Sequence, residues 1–254
     1  MDNTSNDHLN SPSLYVGIGA SAGGLEALED FLAYTPVDTG LSFIIVQHLS
    51  PDYKSMMVDL LSRKTKMNVL QIEDGMNIFA NHIYLIPPKK NLTVYHSKFV
   101  LTDLVRGSSL NLPIDIFFRS LAIDQNKKAV GIILSGTGSD GTLGIKAIKE
   151  QGGLVIVQDF TTAKFDGMPK SAISTGFVDY ILTPEQMGMT LRDYVNHPSI
   201  MIDDSSLEEK ESESDYTKIL SLVRTQENII CPQNQIQKYA WKSGLRRFCK
   251  KTKN

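Results

Sequence analysis

Between Leu14 and Gly24 the chain reads Leu-Tyr-Val-Gly-Ile-Gly-Ala-Ser-Ala-Gly-Gly, and this stretch limits the choice of fold more than any other. Leu14 to Ile18 is a short apolar run with β-branched members, the pattern of a buried strand. Beyond it Leu25, Ala27, Leu28, Phe31 and Leu32 fall at helical spacing. Ser21 therefore sits on a sharp strand-to-helix turn, where Gly19, Gly23 and Gly24 permit unusual torsions and close approach. Gly19-Ala20-Ser21-Ala22-Gly23 fits the nucleophile-elbow pattern G-x-S-x-G, which lifts the serine above a sheet edge and turns the Ala22 amide toward the same space. The same residues also fit a turn whose serine merely caps the helix. A third reading is the dinucleotide fingerprint, matched by Gly17-x-Gly19-x-x-Ala22. That one requires an acidic residue at the end of the next strand. The next strand, Leu41 to Val46, ends in Gln47-His48, and a histidine cannot play the acidic part.

The rest of the chain alternates strands with helices. Leu41 to Val46 is a near-continuous apolar run, as expected for a parallel strand buried on both faces. Met56, Met57, Leu60 and Leu61 form a helical stripe suited to core packing. Residues 68–101 break into short strand-like pieces, Ile83–Ile86, Leu92–Val94 and Phe99–Leu101, punctuated by Pro87-Pro88 and Asn91. That punctuation predicts hairpins appended to the main sheet. Pro113 opens a helix in its first turn. Ala129–Leu134, Leu154–Val157 and Val178–Leu182 are the later strands, with a helix through Leu143, Ile145, Ala147 and Ile148 and another from Pro184 to about Val195. The predicted fold class is α/β: a doubly wound, mostly parallel sheet with helices on both faces and an appended small antiparallel β element.

With 254 residues, 41% of them apolar, and a net charge of −2, the chain is long enough for one sizeable globular domain and points to neither nucleic acid nor membrane. No apolar run approaches the length of a membrane span, and the polar N-terminus lacks a secretory pattern. Both cysteines, Cys231 and Cys249, lie in the last quarter, so a domain without disulfides in a reducing cytoplasm is expected. Residues 1–12 read as disordered and 13–196 as the folded domain. Residues 197–215 form an acidic linker with little to bury. Residues 216–254 hold one short amphipathic segment, Tyr216–Arg224, before a basic tail that reads as a poorly ordered end.

Three polar residues each follow a buried strand: Ser21 the first, His48 the second, Asp140 the strand ending at Leu134. In a parallel sheet these positions share the carboxyl edge, where open α/β sheets bind ligands. Serine, histidine and aspartate are the types a hydroxyl nucleophile needs: the histidine takes the serine proton, and the carboxylate fixes its tautomer and stabilises the resulting cation. The glycine-rich 136–141 loop adds backbone donors for an oxyanion. Singly, the histidine also reads as a structural residue and Asp140 as a cap on the helix that starts at Gly141. The order Ser…His…Asp differs from that of α/β-hydrolases, which points to a different fold with a convergent triad.

These residues also carry a resemblance. Gly19-Ala20-Ser21 with Gly23-Gly24, Gln47-His48, Glu73-Asp74-Gly75, Ile83–Pro88, Leu134-Ser135-Gly136 with Gly138, Asp140-Gly141 and Gly167-Met168-Pro169 occur in unbroken order over about residues 13–195. Together they resemble the catalytic domain of the CheB family, the chemotaxis protein-glutamate methylesterases. The resemblance implies Ser21 as nucleophile, His48 as base and Asp140 as third member, with Ala22, Thr137, Gly138 and Met168 in the oxyanion hole and substrate loop. It implies hydrolysis of γ-glutamyl methyl esters on the cytoplasmic helices of methylated chemoreceptors, often with deamidation of receptor glutamines. No metal or organic cofactor, nucleic-acid partner or membrane insertion is implied. The alternative is a non-catalytic module of the same fold that docks on a receptor or methyltransferase.

Two positions depart from the family pattern: Ala22 stands where threonine is frequent and Thr137 where methionine is frequent. Backbone donors survive both changes. Asp215–Arg224 resembles the start of the receptor methyltransferase, CheR, that follows the esterase in fused proteins, and the likeness fades after about Gln226. A truncated piece of such a fusion is the expectation, without the receiver domain that usually precedes the esterase.

Overall fold

The computed structural model describes residues 11–47, 56–104 and 111–196. His48, the first ten residues, the 197–215 linker and the 216–254 tail lie outside the described residues. The chain order is β1 (Tyr15–Ala20), α1 (Gly24–Tyr34), β2 (Ser42–Gln47), α2 (Met57–Ser62), β3 (Asn68–Gln71), β4 (His82–Leu85), β5 (Lys90–Tyr95) and β6 (Lys98–Asp103). It continues with α3 (Pro113–Gln125), β7 (Ala129–Ile133), α4 (Thr142–Glu150), β8 (Leu154–Gln158), α5 (Gly167–Ser174), β9 (Tyr180–Leu182) and α6 (Pro184–Asn196). Seven strands form one sheet in the order β3-β4-β2-β1-β7-β8-β9, each pair parallel. β5 and β6 form a separate antiparallel hairpin.

β1 lies near the centre with all six residues buried, paired to β2 through Val16–Phe43 and to β7 through Val16–Val130. Its alternation divides the two layers. Val16, Ile18 and Ala20 face a core shared with Leu28, Phe31 and Leu32 of α1, Leu61 of α2, and Met187 and Leu191 of α6. On the other face lie Phe117, Phe118 and Leu121 of α3, Ile145 and Ile148 of α4, and Leu92 and Phe99 of the hairpin. The glycines of β1 serve this second layer. A Cβ at Gly17 would lie 2.8 Å from the Phe117 ring, and one at Gly19 would lie 2.5 Å from Ile114. They let α3 pack closely on the strand and are not there to admit a phosphate.

The expectation of hairpins over residues 68–101 was wrong for two strands, β3 and β4. Ile83–Ile86 belongs to no hairpin: it is β4, held parallel between β2 and β3. Ile83 and Tyr84 are fully buried, so the piece is short because Asn81 turns with φ 58° before it and Pro87 ends it, although it is interior. Only Leu92–Val94 and Phe99–Leu101 form the appended element. No helix among the described residues is long and apolar enough to cross a membrane.

Candidate active site

The carboxyl ends of β2, β1 and β7 are adjacent, and the segments holding Ser21 and Asp140 leave two neighbouring strands, β1 and β7, at one sheet edge. Ser21 follows Ala20 at the end of β1. Its N–H donates to the Ser135 carbonyl beyond β7 at 3.0 Å, and its own carbonyl accepts from Gly24 N–H at 2.9 Å. The turn is completed by Gly23, whose φ of 69° suits a residue without Cβ. Gly23 is the N-cap of α1, and no side chain caps that helix. Ser21 is therefore not the cap that the sequence also allowed. Its side chain is partly exposed above the edge.

Ser135 fastens the two loops that flank the serine. Its hydroxyl, 1% exposed with its residue, donates to the Ala22 carbonyl at 2.9 Å and accepts from Phe165 N–H at 3.0 Å. Its N–H donates to Gln158 Oε1 at 2.8 Å. Gly136 comes next and runs so close to the nucleophile that an added Cβ would lie 2.9 Å from Ser21 Cβ. The Ala22 N–H makes no hydrogen bond to the described residues and lies beside the serine, as an oxyanion donor must. Thr137 and Gly138 are exposed at the loop crest, where Gly138 turns with φ 85°.

Met168 packs against the same loop. Its N–H donates to the Gly136 carbonyl at 2.9 Å, and its side chain is 0% exposed. The amide is engaged by Gly136, and the thioether supports the loop from below. The loop it supports is the one carrying Gly136, Thr137 and Gly138.

Asp140 is 5% exposed and does not cap its own helix: α4 has Gly141 as N-cap, without a side-chain cap bond. Its Oδ2 accepts from Ile114 N–H and its Oδ1 from Asp115 N–H, both at 3.0 Å. Both oxygens thus accept orphan amides at the first turn of α3, where the helix dipole also favours negative charge. The carboxylate is held in a fixed orientation, as a residue that must orient a base requires. On the other side of Ser21, Gln47 ends β2 and its Nε2 approaches the Ser21 carbonyl at 3.5 Å. A cleft of about 220 Å³, lined by Gln47, Leu85, Pro87, Lys89 and Pro113 among others, opens beside it. Among the described residues no group of three or more His, Cys, Asp or Glu is placed to hold a metal.

Sequence reasoning gave no role to Ser135, Gln158 or Asp115. Ser135 could have been found as a small hydroxyl closing a buried strand, and Asp115 as the single charge within Pro113–Phe118. Gln158 carries no local signal.

Comparisons with known proteins bear on the family and the fold. The family model for the CheB methylesterase matches residues 16–191. A putative protein-glutamate methylesterase/protein-glutamine glutaminase of Leptospira interrogans is 33% identical over 67% of this chain and 89% of its own length. An uncharacterized 104.1 kDa protein of Rhodobacter capsulatus is 46% identical over 55% of this chain but only 14% of its own length. The matched region spans about half of other relatives, such as the 51% covered in the Photorhabdus laumondii protein-glutamate methylesterase/protein-glutamine glutaminase. Among solved structures, the Thermotoga maritima CheB methylesterase catalytic domain superposes with a TM-score of 0.66 at 28% identity, over 71% of this chain and 98% of that one. The family model covers more than half of the chain, and relatives and fold agree with it: the chain belongs to the CheB methylesterase family.

Proposed function

We propose that the chain is a serine hydrolase that demethylates glutamate γ-methyl esters on the cytoplasmic helices of chemoreceptors and deamidates receptor glutamines at the same site. The observation that carries this reading is the placement of Ser21: at the end of a buried strand, free of a capping role and pressed against the Gly136 loop. In this mechanism His48 takes the Ser21 proton as Oγ attacks the ester carbonyl. The resulting oxyanion faces the Ala22 N–H and the amides of the Thr137–Gly138 crest. Asp140, fixed by two α3 amides, holds the imidazole tautomer and stabilises the imidazolium. Collapse of the tetrahedral intermediate breaks the C–O bond to methoxide, which leaves as methanol with the proton from His48. Water then attacks the acyl-serine, giving up a proton to His48, and the second collapse frees the glutamate and returns the proton to Ser21. With a glutamine substrate ammonia leaves in place of methanol. The test is methanol release from methylated receptor membranes by the purified chain. Release by the wild type that disappears in Ser21→Ala is expected, and equal release by both would overturn the assignment.

A further inference from the structure

Three hydroxyl residues lie in α5 or directly after it: Ser171, Ser174 and Thr175. Ser174 Oγ donates to the Ser171 carbonyl at 2.7 Å and Thr175 Oγ1 to the Ala172 carbonyl at 2.6 Å. Both reach back three residues, as helical hydroxyls commonly do. Ser171 does not. Its Oγ donates at 3.1 Å to the Gly138 carbonyl, 33 residues earlier, at the crest of the loop beside Ser21. About one turn earlier in α5, Met168 N–H donates to the Gly136 carbonyl at 2.9 Å. The loop is thus tied to α5 through two of its carbonyls. Gly167 lets helix and loop come this close: a Cβ there would lie 3.1 Å from Gly138 N, 3.3 Å from Gly136 O and 3.4 Å from Thr137 Cα. Gly167 is not among the glycines with positive φ, so it supplies close approach here and not an unusual torsion.

A trans peptide is planar and points its N–H opposite to its C=O. With the Gly136 carbonyl drawn to α5, the Thr137 N–H of the same peptide is turned away from that helix. With the Gly138 carbonyl drawn there, the Ser139 N–H is turned away likewise. Neither N–H makes a hydrogen bond among the described residues. We propose that Ser171 is a positioning residue for the oxyanion donors. Together with the Met168 N–H it clamps the loop to α5 by its carbonyls, and so aims the amides of the crest at the space above Ser21.

Gly136 brings the loop to that space, since an added Cβ on it would lie 2.9 Å from Ser21 Cβ. Donors held in place before the reaction stabilise the developing oxyanion without having to reorganise. A crest freed from α5 would therefore lose rate and keep its hold on substrate, because the oxyanion exists only beyond the bound ester. The proposal rests on the reading of Ser21 as the nucleophile.

Ser171→Ala removes the hydroxyl that reaches the loop. Alanine is the better helix former and Ser171 is only partly buried, so the melting temperature should not fall. In methanol release from methylated receptor membranes, kcat should drop by about three- to tenfold, the worth of one hydrogen bond, with KM unchanged. Ser171→Thr keeps the hydroxyl and should restore the wild-type kcat. An unmoved kcat in Ser171→Ala, a change in KM alone, or a threonine variant as slow as the alanine one would overturn the proposal. Ser21→Ala is run in parallel. Release at the wild-type rate there removes the nucleophile reading and this proposal with it, whereas an inactive Ser21→Ala beside an unmoved kcat in Ser171→Ala removes Ser171 alone.

Discussion

Asp140→Asn separates two roles that one carboxylate fills. Both oxygens accept backbone N–H groups, from Ile114 and Asp115, in a site that is 5% exposed. Asparagine offers one oxygen and one NH₂. Whichever way the amide is placed, one α3 N–H faces a donor, and the other bond loses its charge assistance. A hydrogen bond to a charged group is worth about 1.5–3 kcal/mol, and an unsatisfied buried donor costs about 1–3 kcal/mol. The fold should therefore lose about 3 kcal/mol. For a domain of this size each kcal/mol lowers Tm by about 2–4 °C, so a fall of about 6–12 °C is expected. This structural loss does not by itself reduce the rate of the protein that remains folded. Catalysis should fall separately, by about 10³ to 10⁴ in kcat/KM, because the base loses tautomer control and the stabilisation of its cation. A melting curve and methanol release, both recorded well below the transition, give the two numbers independently. A lowered Tm with kcat/KM within tenfold of wild type would refute the catalytic half and leave Asp140 as a staple for α3.

Other perturbations follow from the same contacts. Gly136→Ala places a methyl group 2.9 Å from Ser21 Cβ and against the buried Met168 thioether. It should cost about 1–3 kcal/mol in stability by overpacking and lower kcat by tenfold or more; unchanged kinetics would show that the loop is not part of the site. Ser135→Ala leaves the Ala22 carbonyl and the Phe165 N–H without their shared hydroxyl, which should cost about 2–3 kcal/mol and lower kcat more than it raises KM. Urea denaturation with kinetics checks both parts. A chain ending at Asn196 should hydrolyse the ester within tenfold of the full chain, because α6 already completes its layer with Met187 and Leu191 in the core. A larger loss would place a functional role in residues 197–254.

Much of this was legible from the sequence because the strands that build the edge are buried on both faces. β1, β2, β7 and β8 are near-continuous apolar runs, and each run points to the loop that follows it. β4 was not legible as a sheet strand, because a strand of four residues, His82–Leu85, looks alike in a hairpin and in an interior parallel position. The partner of Asp140 was hidden for a different reason. Local spacing favours the helix that begins at Gly141, whereas the amides it binds lie 25 and 26 residues earlier, on a helix brought alongside by packing. Met168 was read from its motif, but only the fold shows its side chain buried beneath the Gly136 loop. Asp115 read as an ordinary acidic residue in a first helical turn, and its burial against α4 depends on Gly144, which carries no charge or periodicity to announce it.

The central claim is that Ser21 is the nucleophile, and covalent trapping tests it most directly. The wild-type chain is treated with a fluorophosphonate, which phosphonylates an activated serine, and the modified peptide is mapped by mass spectrometry. The adduct is predicted on Ser21, with the rate of labelling falling in Asp140→Asn in step with methanol release. An adduct on Ser135 or Ser139, or full loss of methanol release while Ser21 stays unmodified, would contradict the account.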